Sequence, residues 1–392
     1  MQTTMDATTR TPSRRRSRAL YVTAVALYWA SLYFYVPTLS VYVESKTTRL
    51  GLVGVVLSMY GLWQAVVRLP LGIVADWVGR RKPFIIGGFV LAGLGALTMG
   101  LAGDIGGLIL GRALTGFAAG SWVLLVVGFS AFFPPEDAVR ASGILTAIGG
   151  ISRMIVTSIS GPLNALGGYQ LPFFMAVGAA ALATVVMFLV EERNGGVNAP
   201  TFREIGALIT RRDVLIPPIL GLVMQYAIWS STFGFTPNLA KYLGANDTLL
   251  GILVSLNVAV VTAGNLATTA MVRRIGARWM VVLSFLFVGL GLGALSLARG
   301  IPVVITGQVF MGLASGVGYP LLMGLTIRYV DSGQRATAMG LYQSVYAIGM
   351  FSGPWLSGVV ADSIGIQPMF ALVGGICLIL GLIGTRVLEI RE

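Results

Sequence analysis

The chain has 392 residues, of which 56% are apolar and 11% are charged, whereas a soluble domain carries about 25% charged residues. A chain this apolar cannot cover a globular surface with polar groups, so its solvent must be lipid. The formal net charge is +12, there is no histidine, and the one cysteine is Cys377. This composition excludes a disulfide framework, a zinc cluster and a histidine general base.

Clusters of charged residues, proline and glycine divide the chain into twelve apolar stretches. Each stretch is long enough for a helix across a hydrocarbon core of about 30 Å. A membrane β-barrel would instead show alternating segments of roughly ten residues, and the sequence has none. The sequence therefore predicts an all-α polytopic membrane protein with twelve transmembrane helices. In chain order the predicted spans are 19–42, 50–74, 84–103, 106–131, 141–163, 169–190, 214–239, 248–271, 279–298, 301–327, 337–361 and 366–388.

The basic residues predict the orientation of these spans. With the N-terminus in the cytoplasm, 20 of the 27 Lys and Arg fall in cytoplasmic segments, 4 in outer loops and 3 within spans. This asymmetry follows the positive-inside rule and predicts a multi-pass protein of the plasma (inner) membrane with both termini cytoplasmic. A nucleic-acid partner is not expected, because the basic residues are scattered over seven short segments and form no basic folded face.

The longest internal connection, 191–213, is predicted to be a cytoplasmic linker. It divides the chain into a basic N-terminal tail (1–18), an N-terminal six-helix bundle (19–190) and a C-terminal bundle (214–392). A cysteine placed at Ala199 should therefore react with a membrane-impermeant maleimide only from the cytoplasmic side. Labelling from outside intact cells would invert the predicted orientation.

The two bundles resemble each other weakly in sequence. Residues 111–120 align with 307–316 at an offset of 196, and the pair Gly161-Pro162 aligns with Gly353-Pro354 at an offset of 192. The pattern predicts two pseudo-symmetric six-helix bundles. Transporters built from such repeats hold their solute near the membrane midplane, where the two halves meet.

The most specific segment is 72–83, Gly-Ile-Val-Ala-Asp-Trp-Val-Gly-Arg-Arg-Lys-Pro, between the second and third spans. Asp76, at a helix end, can cap a neighbouring helix or pair with Arg80 or another arginine, and so hold one conformation. Gly72 permits close helix approach and Gly79 a tight turn. The segment resembles the Gly-x-x-x-Asp-x-x-Gly-Arg-Arg signature of the major facilitator superfamily of secondary transporters; the alternative interpretation is an ordinary basic turn. The predicted conformational latch comprises Gly72, Asp76, Gly79, Arg80 and Arg81.

Two further patterns concern one branch of that superfamily. Arg112 with Gly116 is similar to the Arg-x-x-x-Gly pattern of the drug:proton antiporter branch, where the resemblance implies a role for the arginine in coupling. That branch also carries Gly-Pro-x-x-Gly-Gly near the end of the fifth span. Residues 161–168 begin with Gly-Pro and end with Gly-Gly, as the motif does, but four residues lie between these pairs where the motif has two. The chain is therefore closest in pattern to the efflux branch, with a degraded fifth-helix motif.

The charges inside the membrane predict the class of solute. None of the 15 acids lies in the middle of a span, whereas Arg68, Arg112 and Arg153 do. Arg68 is near the cytoplasmic end and can snorkel. Arg112 and Arg153 lie ~10 Å and ~12 Å from the outer face, so they can share a depth. We predict that they line a water-filled cavity that attracts anions; as alternatives, backbone carbonyls satisfy them or Arg112 reaches the outer interface.

Polar and aromatic stripes supply the remaining candidates for substrate binding. The resemblance implies that spans one, four, seven and ten surround the cavity, and helix packing is the alternative explanation for such stripes. In spans one, seven and ten the predicted cavity residues are Tyr28, Tyr35, Gln225, Trp229, Gln308 and Tyr319.

Taken together, these features predict a secondary active transporter that moves a small organic solute by alternating access, in the efflux direction and with an anionic preference. Uptake of a small organic anion by symport or exchange is the alternative. A channel is disfavoured by the two-half organisation, and an enzyme by the lack of a visible nucleophile–base pair or metal set. No cofactor or metal is expected; the expected partners are the solute, a coupling proton and the lipid bilayer, and a monomer is expected.

Overall fold

The computed structural model describes residues 10–134, 137–192, 206, 208, 210–331 and 334–388. The apolar stretches form α-helices, because a helix satisfies its own backbone hydrogen bonds where lipid offers none. The helices, in chain order, are α1 (Arg10–Tyr33), α2 (Val36–Glu44), α3 (Leu50–Val78), α4 (Lys82–Leu101), α5 (Ile105–Gly120), α6 (Trp122–Ser130), α7 (Ala138–Gly167), α8 (Gln170–Phe188), α9 (Arg212–Ser230), α10 (Thr236–Tyr242), α11 (Asp247–Ile275), α12 (Ala277–Ser296), α13 (Ile301–Ile327), α14 (Arg335–Ile364) and α15 (Ile366–Val387).

Twelve helical segments within the described residues are long and apolar enough to cross a membrane, which confirms the predicted number and order. Spans 1, 4 and 7 each contain two helices (α1–α2, α5–α6, α9–α10), and the other spans contain one. One difference is that the first helix begins at Arg10, so part of the predicted basic tail 1–18 is helical. Most of the predicted linker 191–213 lies outside the described residues, so the division into domains stays a prediction.

Spans 1 and 7 are broken at matching places. A new helix begins at Val36 with Pro37 in its first turn, and another begins at Thr236 with Pro237 in its first turn. A π turn, Ser231–Phe235, precedes the second break. Proline restarts the helix because it has no N–H to donate and its ring clashes with the preceding turn.

The helix ends gather on two opposite faces. The Nζ of Lys82, at the start of span 3, donates to the Val190 carbonyl just past the end of span 6 (2.7 Å). Arg278, at the start of span 9, donates from Nη2 to the Arg386 carbonyl in span 12 (3.0 Å). We call this side, where the described chain begins and ends, the terminal face, and the opposite side the far face.

The two halves repeat the same packing. Span 3 packs on spans 4 and 6, and span 9 packs correspondingly on spans 10 and 12. Span 2 packs on span 4, and span 8 on span 10. The halves therefore form the predicted pseudo-symmetric bundles, which meet along two seams, span 2 against span 11 and span 5 against span 8.

Both seams are tight toward the far face. A Cβ at Gly54 would collide with the Pro354 carbonyl oxygen across the first seam. Across the second seam, the Asn164 Nδ2 donates to the Asp247 carboxylate (3.2 Å), and a hydrogen bond joins the Thr157 and Ser255 hydroxyls (2.7 Å). The far side of the bundle is therefore closed in this conformation.

Candidate binding site between the two halves

The helix breaks indicate where a ligand site lies. Spans 1 and 7 are interrupted by Pro37 and Pro237, which occupy corresponding positions of the two halves. Interrupted helices in corresponding positions are the best pointer to the binding site of a transporter built from repeats. The residues just before these prolines are therefore the first to consider.

A short repeat precedes both prolines. Residues 29–37 read Trp-Ala-Ser-Leu-Tyr-Phe-Tyr-Val-Pro, and residues 229–237 read Trp-Ser-Ser-Thr-Phe-Gly-Phe-Thr-Pro. The shared pattern is Trp-x-Ser-x-aromatic-x-aromatic-x-Pro at an offset of 200. The aromatic residues at i and i+4 lie on one helix face, so each half presents one pair of rings.

These rings join the halves. The Tyr33 and Phe233 ring centroids are 6.2 Å apart in an edge-on arrangement, and each ring contacts the tryptophan of its own repeat. Trp229 also stacks on Tyr60 of span 2, with ring centroids 5.3 Å apart. We call Tyr33, Phe233, Trp229 and Tyr60 the aromatic chain. It crosses between the halves twice, from Tyr33 to Phe233 and from Trp229 to Tyr60.

Arg153 lies at one end of the aromatic chain. Its guanidinium carbon is 4.7 Å from the centroid of Trp29 and 5.4 Å from that of Tyr33. The Nε donates to the Gly149 carbonyl (3.1 Å), and the side chain is half-buried. One backbone carbonyl thus satisfies part of the guanidinium, as the alternative interpretation expected, while the aromatic faces orient the rest toward the junction of the halves.

Arg112 lies at the other end. Its guanidinium carbon is 4.3 Å from the centroid of Tyr60, and the residue is 2% exposed. Nε and Nη1 are buried and have no hydrogen-bond partner in the described part of the chain. Arg112 is therefore an enclosed cation, and the alternative interpretation, a reach to the outer interface, is not observed. Both arginines border the same aromatic chain, but their predicted common depth stays a prediction.

Arg68 does not snorkel, contrary to the sequence-based expectation. It is 7% exposed, and its Nη1 donates to the Tyr346 hydroxyl of span 11 (2.6 Å). Nη2 donates to the Gln64 amide oxygen (2.5 Å) one helical turn earlier. The side chain is held by a partner in the other half, which the charge of span 2 alone could not indicate.

Tyr28 and Tyr35, two predicted cavity residues of span 1, contact neighbouring spans of their own half. The Tyr28 hydroxyl donates to the Ala118 carbonyl in span 4 (3.1 Å), and Tyr35 stacks on Phe173 of span 6 at 4.7 Å. Both face the interior of the N-terminal half. In this conformation neither side chain meets the other half, and i, i+3 and i+7 spacing alone does not tell which neighbour a face meets, so their role in substrate binding stays a prediction.

The remaining candidates differ in their contacts. Trp229 lies in the aromatic chain at the junction of the halves, and its predicted role in substrate binding stays a prediction. Gln308 is buried within the second half, where its amide oxygen accepts from the Thr232 hydroxyl (3.2 Å). Tyr319 is half-buried, with ring contacts at 5.9 Å to Tyr342 and 5.8 Å to Tyr346, and Gln225 is half-buried.

The segment predicted as a latch forms an ion pair. Asp76 accepts from the Arg81 Nη2 at 2.9 Å, which fits the predicted pairing with an arginine. Gly79 ends the helix with φ of 68°, a conformation that side-chain-bearing residues rarely adopt. The close approach predicted at Gly72 is not seen in this conformation, since a Cβ there would meet no described atom within 4 Å.

Glu192 supports this turn, and the sequence-based analysis missed it. Its Oε1 accepts from the backbone N–H groups of Arg81 (2.7 Å) and Lys82 (2.9 Å), and its Oε2 accepts from Arg80 Nε (3.3 Å). Burial would raise the pKa of Glu192, but these donors outweigh it and hold the pKa below its usual range. The carboxylate therefore stays ionised and fixes the start of span 3 against the end of span 6.

Asp76→Asn should leave folding and insertion intact but slow transport several-fold, because the side chain keeps its volume and loses the charge that pairs with Arg81. The measurement is solute flux in vesicles with matched protein levels. Wild-type flux in the variant would contradict the latch role.

Comparisons with known proteins agree with the fold. The sequence profile of the Major Facilitator Superfamily matches residues 21–237 and 218–392. The chain is 24% identical over 365 residues to the inner membrane transport protein YajR of Escherichia coli, covering 89% of this chain and 79% of that protein. It is 23% identical over 373 residues to the multidrug resistance protein MdtH of Aeromonas hydrophila, covering 85% and 88%. A bacterial homologue of the human lysosomal transporter Spinster, solved in an inward-facing and unoccupied conformation, superimposes with a TM-score of 0.80 at 13% identity, covering 96% and 98%.

Proposed function

The chain belongs to the major facilitator superfamily, and we propose that it is a secondary transporter that exports a small organic anion by alternating access. The observation that carries the anionic preference is the charge distribution. The described acids lie near helix ends, whereas Arg112 and Arg153 lie inside spans 4 and 5 and Arg68 is the buried last residue of span 2. A low-dielectric site with only positive charge attracts anions and repels cations.

Arg153 is the residue proposed to meet the solute in this conformation. Its guanidinium is half-buried between Trp29 and Tyr33, at the junction of the halves. A planar guanidinium binds a carboxylate with two parallel hydrogen bonds, which a lysine cannot do. Arg112 is enclosed behind Tyr60 and is proposed to meet the solute when the far side opens.

The proposed direction of transport rests on the resemblance to the efflux branch and on the name of one similar protein. The positive-inside rule puts the terminal face in the cytoplasm. The far side is closed in this conformation, and in an exporter the solute would leave there when the seams at Gly54 and at Asn164 part. The name of the similar protein MdtH also supports export.

Exchange of one anion for another, including uptake, is the second candidate. It is favoured by one observation: the described spans hold no acid at mid-depth to carry a coupling proton. An anion exchanger needs no such group, because the returning anion resets the carrier.

The experiment that tests the proposal is an untargeted comparison of solutes in cells with and without the protein. Export of an organic anion predicts that one or more carboxylates fall inside the cells and rise in the medium. Depletion of cations alone would contradict the proposal, and a rise of carboxylates inside the cells would favour uptake.

A further inference from the structure

Spans 2 and 11 end with the same five-residue pattern on opposite faces of the bundle. Residues 75–79 read Ala-Asp-Trp-Val-Gly at the terminal-face end of span 2, and residues 361–365 read Ala-Asp-Ser-Ile-Gly at the far-face end of span 11. Both helices end at the glycine, with φ of 68° at Gly79 and 88° at Gly365. The two acids, Asp76 and Asp362, therefore occupy equivalent positions at the two ends of one antiparallel helix pair.

Asp362 is engaged with the partner helix in this conformation. Its Oδ1 accepts from the Leu50 backbone N–H (2.6 Å) and its Oδ2 from that of Gly51 (2.8 Å). These are the first two residues of span 2, where backbone donors have no partner inside the helix and the helix dipole favours a negative charge. Asp362 thus caps a helix of the other half.

The packing around this cap depends on the absence of side chains. A Cβ at Gly51 would lie 2.8 Å from Asp362 Oδ2, and one at Gly358 would lie 2.6 Å from the Leu50 carbonyl oxygen. Each distance is too short for a normal contact, so a side chain at Gly51 would displace the carboxylate, and one at Gly358 would push span 11 away from the start of span 2. The approach and the cap stabilise the same closed seam.

We propose that Asp362 is a far-face latch, reciprocal to the latch predicted at Asp76, and that it stabilises the conformation closed on the far side. Here Asp362 caps span 2, while Asp76 pairs with Arg81 of its own turn. When the far side opens, the cap is broken and Asp76 is free to approach the start of span 11. The proposal rests on the alternating access of the proposed function but not on the identity of the solute.

The test measures the population of the two conformations directly. Spin labels are placed by Gly103→Cys and Arg299→Cys, both exposed in far-face connections of opposite halves, in the full-length protein with buried Cys377 replaced by alanine. Pulsed electron–electron double resonance in nanodiscs without added solute then gives the distribution of distances between the two labels. The long and short distances give the ratio of far-open to far-closed molecules. Because no solute is present, the result does not depend on the proposed substrate class.

Asp362→Ala should raise the far-open to far-closed ratio by about 2- to 30-fold, the range that corresponds to loss of a helix N-cap. Gly51→Ala should shift the ratio in the same direction, because its methyl group displaces the carboxylate. The matched control is Ser363→Ala, since the Ser363 hydroxyl bonds only within its own helix, to the Val359 carbonyl; its ratio should equal that of the wild type.

Unchanged ratios in both Asp362→Ala and Gly51→Ala would overturn the far-face latch, and so would an equal shift in Ser363→Ala. A shift in the expected direction in a protein that transports no anion would leave the latch standing and contradict only the proposed substrate.

Discussion

Replacing Arg153 with glutamine is expected to weaken binding of an anionic solute by ~10- to 100-fold, which corresponds to losing a charge-assisted hydrogen bond of roughly 1.5–3 kcal/mol. Glutamine keeps a hydrogen-bonding side chain of similar reach but has no charge. A neutral amide analogue of the same solute should lose much less affinity. The measurement is equilibrium binding of the acid and its amide to purified wild type and variant.

Arg153→Lys is the matched control for charge. It keeps a positive charge near Trp29 and Tyr33 but loses the planar guanidinium that can form two parallel hydrogen bonds. The affinity of this variant for the acid should therefore be intermediate between those of wild type and Arg153→Gln. Equal losses of affinity for the acid and the amide in Arg153→Gln would mean that this arginine serves helix packing and does not bind the anion.

Replacing Arg112 with methionine is expected to raise the free energy of unfolding by about 1 kcal/mol while slowing anion transport ~10-fold. A buried arginine costs at least about 2.5–3.5 kcal/mol, and the lost contact with the Tyr60 ring offsets about 0.5–2 kcal/mol of the gain. Transport falls because the charge proposed to meet the anion in the far-open state is absent. Thermal unfolding in detergent and flux in proteoliposomes are measured on the same preparation.

Arg68→Met is the contrasting variant. Removal of the Arg68 guanidinium leaves the Gln64 oxygen and the Tyr346 hydroxyl without this donor, so the free energy of unfolding should fall by about 1–3 kcal/mol. A loss of stability in Arg112→Met like that in Arg68→Met, with equal slowing for charged and neutral solutes, would mean that Arg112 is a structural residue.

The twelve spans and the Asp76 pair could be predicted because their causes are local. Each span is a continuous apolar stretch, and lipid allows such a stretch to be only a helix. Asp76 and Arg81 are five residues apart across a turn that Gly79 makes. Neither prediction requires knowing which helix lies beside which.

The partners of the mid-span residues could not be predicted in this way, because they depend on the side of each helix that meets the other half. Tyr28 and Trp29 are adjacent in sequence, yet Tyr28 bonds Ala118 in span 4 while Trp29 contacts Arg153 in span 5. Arg68 is bonded to Tyr346, 278 residues away. Such pairings follow from tertiary packing alone.

One signal in the sequence could have found the aromatic chain. The pattern of Trp, aromatic residue and proline at positions 29, 33 and 37 is repeated at positions 229, 233 and 237, with a single offset of 200. Equivalent positions of a duplicated unit lie at equivalent places around the pseudo-symmetry axis. The repeat alone would have placed Tyr33 and Phe233 opposite each other.

The central claim, that this member of the superfamily carries small organic anions, is tested most directly by counterflow in proteoliposomes. Purified wild-type protein is reconstituted with an excess of the unlabelled carboxylate identified in cells, and uptake of the labelled carboxylate, its amide and its amine analogue is followed. We predict transient, saturable accumulation of the carboxylate and little of the other two. Accumulation of the amine in preference to the carboxylate, or equal accumulation of all three, would contradict the account.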